Sequence, residues 1–295
     1  MNKIVERLLI FFIGLPAVIA IVLFLPYRNS LALNLVVVFF SAFGAVELSA
    51  MLVKKEIKIS KIESGILGAL IPASLTLFFS VKSSTLFLVL IIAGFLWVFL
   101  SRVFSNKRQI NDIAKKILGS LALFIYPGFF TGFIVLMSIW GNPSAILLFL
   151  FITFGNDSLA WLFGTLFGKN NRGIIAVSPN KSIAGFIGGI IGSVLVAAIA
   201  ALFFPSIFST NELLVLNIKH EPVSSILIPV IILGFCTGIA TTLGDLAESA
   251  IKRSCDFKDS GNLMLGRGGV LDSIDSIAIA APVFFLLFTY FFYGS

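Results

Sequence analysis

The run IAGFIGGIIGSVLVAAIAALFF, Ile183–Phe204, holds 22 consecutive residues without a charge. A bilayer hydrocarbon core of roughly 30 Å is crossed by about 20 apolar residues in helical form. The stretch therefore reads as a membrane span, and eight more runs read the same way, at about 8–27, 31–53, 64–81, 84–104, 117–139, 143–167, 225–250 and 273–293. Composition agrees. Hydrophobic residues make up 58% and charged residues 12%, against roughly 45–50% and about 25% in soluble globular chains. So few charges cannot cover a water-facing surface, and 32 phenylalanines suit contact with lipid. The expected fold class is all-α: a polytopic integral membrane protein of about nine transmembrane helices. It is read as a single transmembrane domain over 1–295, with N-terminal spans in 1–140 and the site-bearing spans and loops in 141–295.

Lys and Arg in short loops orient such a bundle. Lys3 and Arg7 precede the first run. Lys54, Lys55, Lys58 and Lys61 lie between the second and third, and Arg102, Lys107, Arg108, Lys115 and Lys116 between the fourth and fifth. Lys169, Arg172 and Lys181 follow the sixth, and Lys252, Arg253, Lys258 and Arg267 follow the eighth. That places 18 of the 21 basic residues on one side; only Arg28, Lys82 and Lys219 fall on the other. The asymmetry predicts a cytoplasmic N-terminus, with the opening segment an uncleaved first span: its apolar stretch is too long for a signal h-region and lacks a small-x-small cleavage site. The net charge of +7 is then mainly a topology signal. No basic stripe with interleaved aromatics suggests nucleic acid. Two cysteines, Cys236 and Cys255, and one histidine, His220, exclude a disulfide framework and any multi-histidine metal site.

The acids are unevenly placed. Of 14, six fall between 245 and 275: Asp245, Glu248, Asp256, Asp259, Asp272 and Asp275. Asp157 lies inside the sixth span, in Phe-Gly-Asn156-Asp157-Ser158. An ionised group near mid-bilayer costs about 2.5–3.5 kcal/mol on insertion scales, so it needs a partner or a wet cavity. Asp245, Glu248, Ser249 and Lys252 stand at i, i+3, i+4 and i+7, and Asp272, Asp275 and Ser276 at i, i+3 and i+4, each set on one helix face. Between them lie Lys252-Arg253, Lys258-Asp259, Gly261, Gly266, Arg267, Gly268 and Gly269. Glycines let backbone amides approach a phosphate, and Lys and Arg supply counter-charge. Carboxylates beside such loops suit Mg²⁺ holding a polyphosphate; a salt-bridged helix end in solvent is the other reading. Upstream, Ser178-Pro179-Asn180-Lys181-Ser182 opens the seventh run. Its Lys and free helix N-terminal amides could form an anion site, while Gly185, Gly188 and Gly189 there equally permit close helix packing. Glu47, in the second run, reads either as lining a lipid access path or as a hydrogen-bonded structural carboxyl.

Together these residues resemble the phosphatidate cytidylyltransferase (CDP-diacylglycerol synthase) family. Its signature, roughly Ser-x2-Lys-Arg-x4-Lys-Asp-x-Gly followed by a Gly-rich turn and Asp-x2-Asp, is met by Ser249, Lys252, Arg253, Lys258, Asp259, Gly261, Gly266, Gly268, Gly269, Asp272, Ser273 and Asp275. Gly244-Asp245, Glu248, Asp157, Ser178-Pro179 and Lys181-Ser182 also look like the family, so the likeness covers roughly 150–295. Two departures stand out. Leu265 and Arg267 occupy the places of a family Pro and His, and Ile183-Ala184 replaces an aromatic–acidic pair.

The resemblance implies condensation of CTP with phosphatidate to CDP-diacylglycerol and pyrophosphate in a bacterial plasma membrane, with the site facing the cytoplasm. It implies Asp245, Asp272, Asp275, Lys252 and Arg253 as catalytic residues. One or two Mg²⁺ ions would be held by Asp157, Asp245, Asp272 and Asp275. Substrate would be bound by Ser178, Lys181, Ser182, Ser249, Lys258, Asp259, Gly266, Arg267, Gly268 and Gly269. Partners are then CTP, phosphatidate and membrane lipid, with a homodimer left open. Two alternatives are a cytidylyltransferase for an isoprenoid-type lipid phosphate and, in a different class, an ion-coupled transporter.

Overall fold

The computed structural model describes residues 10–103, 111–208, 223–264 and 268–293. Gly266, Arg267, His220 and several of the counted loop cations lie outside them. Among the described residues there is no strand, only two isolated bridges. The helices are α1 (Leu15–Phe24), α2 (Tyr27–Leu52), α3 (Lys61–Val81), α4 (Ser84–Leu100), α5 (Ile113–Trp140), α6 (Pro143–Leu166), α7 (Ile183–Phe203), α8 (Val223–Ser254) and α9 (Leu271–Phe292). Among the described residues, seven are long and apolar enough to cross a membrane; α1 and α4 are shorter apolar helices. The chain is an all-α polytopic membrane protein, as its composition requires.

Helix starts follow local chemistry. Ser60 and Glu63 stand at capping-box spacing, and Ser60 Oγ accepts from the Glu63 amide at 3.2 Å. Ser83 caps Leu86 N at 3.2 Å, and Asn142, followed by Pro143, caps Ala145 N at 3.3 Å. In α2 the residues Arg28, Asn29 and Ser30 have positive φ, so the right-handed helix starts just beyond them, where the apolar run begins.

The contacts fall into two compact units. The first comprises Met1–Gly141 and Ile251–Ala278. Here α2 and α3 pack through small residues: a Cβ on Gly68 would lie 2.4 Å from Ala45 Cβ and 2.7 Å from the Ser41 carbonyl. Without a hydrophobic drive between helices in lipid, such close approach and interhelical hydrogen bonds hold spans together. Pro127 sits in a π-helical turn of α5, the usual relief for a missing N–H. Its carbonyl accepts from the Ser41 and Thr131 hydroxyls. Arg102 pairs with Glu63 at 2.5 Å and donates to Ser120 Oγ at 3.0 Å, tying the end of α4 to α3 and α5.

The second unit comprises Asn142–Ala250 and Ile279–Ser295. Its α6 and α7 touch at glycines. A Cβ on Gly192 would meet the Gly155 carbonyl at 2.5 Å, and one on Gly188 would meet Phe163 at 2.5 Å. Of the two readings open for the glycines of the seventh run, close packing is what they do. Asn156, 1% exposed, pins three helices: its amide donates to Ser193 Oγ (3.1 Å) and the Gly238 carbonyl (3.0 Å), and its oxygen accepts from Thr242 Oγ1 at 3.2 Å. Phe284 of α9 lies on Phe149 and stacks on Phe288.

Candidate functional site

Two polar centres emerge, one in each unit. The centre of the second unit is a cavity of about 300 Å³ whose lining includes Asn156, Asp157, Trp161, Lys181, Ser182, Thr242 and Asp245. Lys181 ends the turn that leads into α7, its amide bonded to the Ser178 carbonyl at 3.0 Å. Its ammonium meets Asp245 Oδ2 of α8 at 2.5 Å, with both side chains about one-third exposed (29% and 37%). Ser249, one turn along α8, donates to Asp245 Oδ1 at 3.4 Å. An ammonium, two carboxylates and an open wall thus border one space beside the buried amide of Asn156.

At the start of α7 the amides expected to face an anion have protein partners: Ile183 N donates to the Asn171 carbonyl, Ala184 N to Asn171 Oδ1 and Gly185 N to Ser182 Oγ. Ser182 is therefore a helix cap, and Asn180 rather than Ser178 joins the cavity wall. The cation itself, Lys181, carries what remains of that expectation.

The centre of the first unit is the segment between α8 and α9. Lys252 Nζ bonds Asp272 Oδ1 at 2.5 Å. Asp272 Oδ2 accepts from Ser260 N (2.9 Å), Ser260 Oγ (3.0 Å) and Gly269 N (2.7 Å). Glu47, reaching from α2, accepts Val270 N on Oε1 at 2.9 Å, and Leu271 N and Ser260 Oγ on Oε2 at 2.8 and 3.0 Å. Met264 and Gly268 exchange backbone bonds at 2.9 and 3.2 Å and close the tip, with Gly268 at φ +100°, a conformation glycine adopts without strain. Arg253, Lys258 and Asp259 are exposed around this centre, whereas Asp275 is buried and accepts the Ser276 amide at 2.6 Å.

The glycines here serve carboxylates of the protein itself. A Cβ on Gly261 would collide with Glu47 Oε1, one on Gly269 with Ser260 Oγ and Glu47 Oε2, and one on Gly268 would stand 2.6 Å from Asp272 Oδ2. Of the two readings open for Glu47, the hydrogen-bonded structural carboxyl is the one observed. Ser260 stands at an unspecified position of the signature, and nothing in the sequence singled it out.

The donor sets bear on metal binding. A carboxylate offers about four lone-pair sites, two on each oxygen; Asp272 takes three donors on Oδ2 and Lys252 on Oδ1, which keeps a second lone pair for a cation. Asp245 receives two, and Asp157 borders the same cavity. Among the described residues no group of three or more His, Cys, Asp or Glu side chains is arranged to hold a metal ion. Two carboxylates completed by substrate phosphates are nonetheless the usual donor set of Mg²⁺, and Asp157 with Asp245 fits that chemistry.

Comparison with known proteins places this geometry in context. A family model described as the cytidylyltransferase family matches residues 5–291. A phosphatidate cytidylyltransferase of Chlamydia pneumoniae is 36% identical over 134 residues, covering 45% of this chain and 39% of that protein. One from Staphylococcus haemolyticus is 40% identical over 131 residues, 44% of each chain. An uncharacterised protein of Escherichia coli is 34% identical over 153 residues, 52% of this chain and 45% of the relative. The matched stretch spans less than half the length of each of these relatives.

Proposed function

The chain belongs to the cytidylyltransferase family, and from that premise we propose that it condenses CTP with phosphatidate, giving CDP-diacylglycerol and pyrophosphate. The relatives named for that reaction support the choice of lipid. The observation that carries the reading is the cavity where Lys181, Asp157 and Asp245 meet inside the matched region.

A phosphate-monoester oxygen of the lipid attacks the α-phosphorus of CTP, and the bond to the β-phosphate oxygen breaks to release pyrophosphate. With a second pKa near ~6, that phosphate is already largely dianionic at neutral pH and needs no strong base. The barrier is repulsion between two anions and charge gathering on the leaving group, so fixed cations are the tools required. Lys181 supplies one: its ammonium exchanges Asp245 for a phosphate oxygen, and Ser249 keeps the released Asp245 carboxylate in place. Arg253 and Lys258 of the first unit, both exposed, are the further cations proposed to bind phosphate. Asp157 and Asp245 would hold Mg²⁺ together with phosphate oxygens, and the bound ion would supply neutralisation of the polyphosphate. Asp272 orients Lys252 and the loop. The acyl chains stay in the bilayer, and the Lys/Arg asymmetry supports a cytoplasm-facing site in a bacterial plasma membrane.

Purified full-length protein in mixed micelles, given labelled CTP, Mg²⁺ and either phosphatidate or a polyprenyl phosphate, tests this. Labelled CDP-lipid and equimolar pyrophosphate are expected with phosphatidate, and none after chelation with EDTA. Product from the polyprenyl phosphate alone would reassign the substrate; no CTP turnover with any lipid phosphate would refute the reading.

A further inference from the structure

We infer that Glu47 is a positioning residue, acting through Ser260 and the first turn of α9 on the Lys252–Asp272 pair; the inference rests on the cytidylyl-transfer reading for its consequence in turnover. Three observations carry it. Both oxygens of Glu47 are used, on three donors, and two of these are backbone amides at the start of α9, where helix N–H groups lack intrahelical partners and the helix dipole favours an anion. Ser260 Oγ lies 3.0 Å from both Glu47 Oε2 and Asp272 Oδ2; its single proton serves one carboxylate at a time, so the two acids are linked through one hydroxyl. Finally, Gly261 and Gly269 lack side chains where the Glu47 carboxylate lies, so the loop's backbone is shaped around a group belonging to a distant helix.

Glu47 thus fixes Val270, Leu271 and Ser260, and Ser260 and Gly269 are what hold Asp272 Oδ2 in place. That leaves Oδ1 aimed at Lys252. In Glu47→Gln the amide NH₂ necessarily faces either Val270 N–H or the Leu271 and Ser260 donors, so no rotamer restores the set. Loosening should leave the cavity of the second unit intact while displacing Lys252, and small misplacements of charged groups cost roughly 100-fold in rate.

The test compares wild type, E47Q, E47D and S260A as full-length protein, measuring turnover per bound CTP, KM for CTP and hydrogen exchange of the peptides covering 258–274. E47Q is expected to lose about 10- to 100-fold in turnover per CTP site, with KM for CTP within about 3-fold. Exchange should rise at Val270 and Leu271 and stay unchanged in α6 and α7, and E47D, which keeps two acceptors, should recover part of both. If E47Q does not fold, S260A decides, with a smaller loss and faster exchange at Asp272. Wild-type turnover and protection in E47Q or S260A would overturn the inference, as would CTP stoichiometry falling in step with turnover. Should the wild type turn over no CTP, the functional reading fails separately; unchanged exchange in E47Q would then still overturn the role of Glu47, and raised exchange would support it.

Discussion

Replacing Lys181 with Met separates a cation that serves a reaction from one that serves only a fold. The Lys181–Asp245 pair is short, 2.5 Å, yet its side chains are 29% and 37% exposed. An ion pair that wet contributes about 0.2–1 kcal/mol to stability, because solvent screens the attraction and ordering two side chains costs entropy. Met keeps most of the stem, so packing changes little. Against a developing polyphosphate charge in a partly enclosed cavity, one fixed donor is worth roughly 2.7–4 kcal/mol, a rate factor of about 10²–10³. K181M should therefore lower kcat/KM for CTP about 100- to 1,000-fold while shifting unfolding free energy by less than ~1 kcal/mol. Lys181→Arg keeps the charge but replaces a compact ammonium with a planar fork, and should fall between. The assay is CDP-lipid formation from labelled CTP in phosphatidate mixed micelles, beside denaturant unfolding of the same preparations. A loss below roughly 3-fold, under ~0.7 kcal/mol, or one that only tracks unfolding, would refute the reasoning.

Other consequences follow from the packing and the charge distribution. Asn156→Leu deletes three interhelical bonds; at about 0.6 kcal/mol each in a membrane protein it should destabilise the second unit by ~2 kcal/mol, read by unfolding in mixed micelles. The cost stays modest because Ser193 and Thr242 keep backbone acceptors at Ile152 and Gly238. Gly192→Ala pushes a methyl into the Gly155 carbonyl, a backbone atom that cannot step aside, and should cost about 1–3 kcal/mol in the same measurement. Single-cysteine variants K58C and K82C, in a background without Cys236 and Cys255, should label with an impermeant maleimide from opposite faces of sealed vesicles, K58C from the cytoplasmic one. Labelling of both from one face would contradict the orientation.

Much of the architecture was legible because lipid imposes a one-dimensional rule: about 20 apolar residues per crossing. The runs at 31–53, 64–81, 117–139, 143–167, 183–204, 225–250 and 273–293 recur as long apolar helices, and 84–104 recurs as the shorter α4. Site residues were legible by type and not by partnership. Lys181 stood out as a cation at a helix start, but nothing in its neighbourhood named Asp245 as the group it meets. The amides beside it looked available for an anion until Asn171 and Ser182 proved to occupy them.

By itself the sequence determined the membrane class, the positions of most spans and the residue types available for phosphate chemistry, since each depends on local composition or short spacing. Only the tertiary structure decided that Glu47 closes on the start of α9 through Ser260, that Asp272 is occupied by four donors, and that Asp157 and Asp245 border one cavity with Lys181. Those are meetings between groups as far as 224 residues apart. They arise because a carboxylate removed from water must take whatever donors the packed helices bring within about 3 Å, and that depends on how the helices pack rather than on the order of residues along the chain.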